Sequence, residues 1–104
     1  MKTYYLRFSS QVCGGKYREL LNMLELELRN EKLKGCIDRS VYQSVEDLND
    51  ITFVEEWNDF KLLKSSFQGS RFKYIVGAIK NLADHWSMEV LETKEVKELK
   101  TIGI

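Results

Sequence analysis

The run Phe53-Val-Glu-Glu-Trp57 places two carboxylates and an indole side by side. Adjacent side chains of a strand face opposite ways, so Glu55 and Glu56 cannot serve as acid and base on one substrate. Glu55 and Trp57 do share a face. Trp57 is either a flat wall against which an aromatic ligand stacks or a core tryptophan on a buried strand. His85 is the only histidine, and so the only side chain whose ordinary pKa lies near neutrality. It could take a phenolic proton, or it could sit at a strand end facing solvent or an interface. Tyr5, Tyr42 and Tyr74 could each hydrogen-bond a quinone oxygen, or be half-buried with the hydroxyl already satisfied. Cys13 and Cys36 are far apart and make no CxxC pair. Two thiols and one histidine do not complete a tetrahedral zinc site without carboxylates. Two reduced thiols, no metal and no other cofactor are expected.

These residues need elements to hold them. Thr3 to Phe8 alternates as a strand, and Ser9 to Gly15 reads as a loop. Lys16 to Asn30 has a helical period, with Tyr17, Leu20, Leu21, Leu24 and Leu28 on one stripe. Cys36–Val45 and Ile51–Trp57 are two strands joined by the polar turn Glu46 to Asp50. In the first, Ile37, Val41 and Val45 share a face; in the second, Ile51, Phe53, Glu55 and Trp57 do. Asn58 or Asp59 caps a short helix to about Phe67. Ser70 caps the next, which carries Phe72, Ile75, Val76, Ile79, Leu82 and Ala83 on one stripe. A last strand to Leu91 puts Trp86, Met88 and Val90 on one face. The order β-α-β-β-α-α-β predicts an α+β ferredoxin-like fold with a four-stranded antiparallel sheet and helices on one face. One domain spans residues 1–92, and a lysine- and glutamate-rich tail, 93–104, forms a short helix or an arm docking on a partner.

The chain has 104 residues, 43% of them hydrophobic and 31% charged, which fits one folded domain. Sixteen basic side chains balance sixteen acidic ones, so there is no surplus to hold a phosphate backbone and nucleic acid is not an expected partner. No stretch approaches the length of a membrane helix, and Arg7 interrupts any signal-like apolar run. No membrane association and a cytoplasmic location are expected. Whichever sheet face lacks helices still carries aromatic and branched side chains, and a second copy packed face to face is the simplest cover.

Gly15 ahead of the leucine-rich helix, then Leu33-Lys-Gly-Cys-Ile37, Ser40-Val-Tyr-Gln-Ser44 with Glu46-Asp47, Ile51-Thr-Phe-Val-Glu-Glu-Trp57, Leu63, Ser70-Arg-Phe72 and Leu82 follow one another in the chain. This series resembles the antibiotic biosynthesis monooxygenase (ABM) domain of the dimeric α/β barrel superfamily, from about Tyr4 to Leu91. The resemblance implies a homodimer with a pocket between sheet and helices in each subunit. Some members oxidise small aromatics such as quinols or anthrones with dioxygen, using neither metal nor flavin; others bind and degrade haem. Trp57 and His85 are then the candidate catalytic residues, and Tyr5, Tyr42, Ser66, Phe67 and Tyr74 the candidate substrate-binding ones. Many members have a histidine where this chain has Ser66, and a serine is a poor base. The haem-degrading branch has an asparagine in its first strand, which Thr3 to Phe8 lacks. The alternative to catalysis is a homodimer that binds a small hydrophobic ligand without turning it over.

Overall fold

Alternating burial along the N-terminal segment builds β1 (Lys2–Val12), with Leu6, Phe8, Ser10 and Val12 buried on one face. The computed structural model describes residues 2–30, 32–94 and 98–101. The strand continues past Phe8 through the residues that the sequence reads as loop. It can do so because the buried Ser10 hydroxyl donates to the Ile51 carbonyl at 2.8 Å, which satisfies an inward polar group. Helix α1 (Tyr17–Arg29) follows, then β2 (Cys36–Gln43) and β3 (Asp50–Trp57). In the turn between those strands the Ser44 Oγ accepts from the Glu46 N–H at 3.1 Å, and the Asp47 Oδ1 from the Asn49 N–H at 3.0 Å. Val45 lies in this turn, 96% exposed, so the inward face of β2 ends before it.

Helix α2 (Phe60–Ser66) starts where Asp59 accepts from the Leu62 N–H at 3.1 Å, the expected capping chemistry. Helix α3 (Ser70–Leu82) has Gly69, not Ser70, at its N-cap, without a side-chain cap. It runs straight into β4 (Ala83–Lys94), and β5 (Glu98–Thr101) closes the described chain. The sequence ends the domain at residue 92. Instead, β4 crosses that boundary, pairing Glu92 and Thr93 with Tyr4 and Thr3. Residues 98–101 of the tail form an edge strand on β4. Val96 and Ile102 lie outside the described residues.

The sheet order is β2-β3-β1-β4-β5, and every neighbouring pair is antiparallel. Its first four strands and three helices form the expected ferredoxin-like α+β domain, with β5 added at one edge. The inward face presents Leu6, Phe8, Ile51, Phe53, Trp57 and Val90 to Leu20, Leu24, Leu63, Ile75, Ala78 and Ile79 of the helices, all buried. Each large side chain so buried contributes about 1.5–3 kcal/mol. The outward face carries no helix. Tyr5, Arg7, Thr52, Val54, Glu56, Tyr42, His85 and Leu91 lie on it by register, and Arg7 meets Glu89 there at 2.7 Å.

Candidate functional site

The inward face of β3 sets the site. Alternation brings Glu55 and Trp57 to the core side, 7% and 1% exposed, and the Trp57 Nε1 donates to the Glu55 Oε1 at 3.2 Å. β2 places Arg39 directly across from Glu55. Helix α1 lays Glu27 above them, 5% exposed. The Arg39 Nη1 approaches the Glu27 Oε2 as an ion pair at 4.0 Å, beyond hydrogen-bond reach, and this buried oxygen has no hydrogen-bond partner among the described residues. Arg39 also donates to the Asn30 carbonyl. Arg71, from the first turn of α3, completes two acids and two cations beneath the helices.

Burial drives the Glu55 carboxyl above its ordinary value. The Trp57 hydrogen bond and Arg39 pull it back, while Glu27 pushes further the same way. Burial also lifts the Cys36 thiol, with help from Glu55, to about 11.

Glu27, Cys36, Arg39, Glu55, Ser66 and Arg71 surround a small, partly enclosed cavity of about 10 Å³, with Phe8 and Phe72 among its apolar walls. That is room for about one water. Leu33, Ser66 and Arg71 also line an open cleft of about 470 Å³ together with Lys34, Trp57 and Leu62, a size that suits one small ligand. The Leu33-to-Cys36 turn holds the rim of this cleft, with the Cys36 N–H donating to the Leu33 carbonyl at 2.9 Å. At its centre Gly35 has φ 90°, and an added Cβ would stand 2.8 Å from the Leu62 Cδ1. Glycine is required there for conformation and for space.

Of the residues singled out in the sequence, Trp57 and Ser66 meet at this cleft. Ser66 donates its hydroxyl to the Leu63 carbonyl at 2.6 Å. Phe67 stands behind them, 4.7 Å from Phe72 between ring centroids. Tyr5 and Tyr42 lie on the outward face of the sheet, and Tyr74 is on an exposed part of α3. Burial raises the Tyr5 hydroxyl pKa, aided by Glu56 opposite it.

His85 pairs with Gln11 and Trp57 with Tyr4, on opposite faces of the sheet. Seven strand steps between Gln11 and Tyr4 amount to about 23 Å, so one chain does not bring His85 to Trp57. His85 instead borders a separate open depression with Gln11, Trp86 and Ser87.

Sequence reasoning missed Glu27, Arg39 and Arg71. Glu27 sits three residues after Leu24 on the buried stripe of α1, and Arg39 alternates with Val41; those positions were the available signal. Among the described residues no three of His, Cys, Asp and Glu come together as a metal site would need.

The ferredoxin-like sheet with helices over one face is an ABM-like fold, as solved structures bear out. A conserved protein from Methanosarcina mazei Go1 is 28% identical, with TM-score 0.70 over 90% of this chain and 93% of its own. A provisionally assigned antibiotic biosynthesis monooxygenase from Chloroflexus aurantiacus J-10-fl is 21% identical, with TM-score 0.70 over 92% and 95%. Another, from Nitrosomonas europaea, has TM-score 0.75 at 10% identity over 92% and 94%. No family model matches the chain, and no curated protein matches it in sequence. Among the described residues no helix is long and apolar enough to cross a membrane.

Proposed function

We propose that this chain is a cofactor-independent monooxygenase of ABM type, acting on a small electron-rich aromatic such as a quinol. One oxygen atom of dioxygen enters the ring and the other leaves as water, so that quinol plus dioxygen gives hydroxyquinone plus water. The substrate itself supplies the electrons, once a hydroxyl proton has been removed. The protein's part is to bind, exclude water and take that proton.

The observation that carries this reading is Glu55. It is a buried carboxyl with a raised pKa, tied to the indole that lines the cleft. A base of raised pKa is matched to proton abstraction near neutral pH. One water in the small cavity would carry the proton between cleft and carboxylate. Glu55 therefore takes the role for which His85 is too distant. In this reading the chain works as a homodimer, its helix-free sheet face covered by a second copy. The exposed Tyr42 and the half-buried Val54 on that face support this.

The second reading, a dimer that binds a small hydrophobic ligand without turnover, is favoured by Ser66. Its hydroxyl is already committed to Leu63, at the position where many ABM proteins have a histidine. Oxygen uptake separates the two. Chelator-treated protein is followed in an oxygen electrode against a panel of quinols and anthrones, with Trp57→Phe alongside. Uptake above the uncatalysed background that is lost in the variant supports oxygenation. No uptake across the panel moves the assignment to ligand binding.

A further inference from the structure

We propose that the cleft selects aromatic ligands bearing a carboxylate, with Lys34 as the residue that holds the negative charge. The inference rests on reading the cleft as the active site. It starts from the way charge is sorted by depth. The acids Glu27 and Glu55 line the small inner cavity and not the cleft. Among the described residues, the charged side chains lining the cleft are Lys34 and Arg71, both cationic, beside the Ser65, Ser66 and Ser70 hydroxyls and the apolar surface of Leu33 and Leu62, with the buried Trp57 behind them. A ring on that apolar surface lies beside the Lys34 ammonium, which favours an anion and disfavours a cation.

The two cations differ in their duties. Arg71 lines both spaces and acts electrostatically on Glu55, so its charge is shared with the interior. Lys34 lines the cleft alone. Its backbone is fixed by the glycine turn: the Asn58 N–H donates to the Gly35 carbonyl at 3.0 Å, and the Leu33 carbonyl accepts from Cys36. An unsubstituted quinol uses the apolar wall only. A carboxylated one uses the wall and Lys34 together. Lys34 is exposed, so a single pair with it is expected to give about fivefold in affinity, the upper end for exposed pairs.

Isothermal titration calorimetry of the whole chain with 2-naphthoate and with 2-naphthylmethanol tests this, because the two share a ring and differ in charge. The expected result is about fivefold tighter binding of the naphthoate. That gap closes in Lys34→Gln, returns in Lys34→Arg and narrows at high salt. Equal affinities, a gap indifferent to Lys34→Gln, or no binding of either compound overturns the inference. Oxygen uptake is read separately. Turnover of neutral and carboxylated quinols with equal efficiency sinks the charge selection and leaves the monooxygenase reading standing. Charge-selective binding without uptake does the reverse.

Discussion

Glu55 and Trp57, two residues apart on β3, are joined side chain to side chain by an N–H···O bond of 3.2 Å. Both point inward, Glu55 lining the small inner cavity and Trp57 the open cleft beside it. A strand that alternates cleanly would have spent this position on an aliphatic residue. Here a carboxyl occupies it, held by one indole and faced across the sheet by Arg39.

The first prediction concerns pH. Burial raises the Glu55 carboxyl above its ordinary 4.5, so the folded chain holds that proton more firmly than the unfolded chain. The resulting stability is fully present below the ordinary value and is lost as pH rises through the raised one. In Glu55→Gln this loss disappears, and its melting temperature falls less steeply between about pH 4.5 and neutrality than that of the parent. If Glu55 is the base, the rising limb of the pH–rate profile vanishes too, with activity down about 10²- to 10⁴-fold. Thermal melts and oxygen uptake across pH read both effects.

A second prediction is about the turn that frames the cleft. Gly35→Ala forces a side chain into φ 90° and against Leu62. The expected loss is about 1–3 kcal/mol, measured by urea unfolding. Unchanged stability would show that the turn relaxes freely.

Cys36 gives a third. With its thiol pushed up to about 11, little thiolate exists at neutral pH and alkylation is slow. Iodoacetamide labelling followed by mass spectrometry should find Cys36 protected in the native chain and reactive after unfolding. Rapid native labelling would contradict the burial described for it.

The fourth concerns assembly. Val54 sits mid-strand on the helix-free face, between Arg7 and Ser40 in register. Val54→Lys puts an unpaired charge into the proposed dimer contact and should weaken association at least about tenfold. Sedimentation velocity over a concentration series measures it. A parent chain that is monomeric throughout would remove the dimer from the functional reading.

Periodicity made most of the frame legible. The stripe of α1 grouped Leu20 with Leu24 and the alternation of β3 grouped Phe53 with Trp57, and all four are buried. The failures share a physical cause, which is that polar residues are normally read as surface. Ser10 looked like loop until its hydroxyl found the Ile51 carbonyl. Glu27 and Arg39 occupy inward positions of their own elements, but a charge there is acceptable only when the fold supplies opposite charge from elsewhere. That supply comes from a different helix or strand, so no local window contains it. The tail's Val96, Leu99 and Ile102 recur every three residues, which suits a short helix, yet residues 98–101 pair with β4 as an edge strand, a contact no local window contains.

The position of β1 bears on how the chain is made. It lies between β3 and β4, and its Arg7 bonds to Glu89. During synthesis the first strand can hydrogen-bond along one side once residue 57 has emerged, but its other side waits for residues 83–94. Until then the Leu6 and Phe8 face stands at an open sheet edge, the sort of edge that recruits strands from other chains. Pairing across so much sequence also slows closure. Nascent chains that stop short of β4 are therefore the form of this protein most exposed to aggregation and most in need of a chaperone.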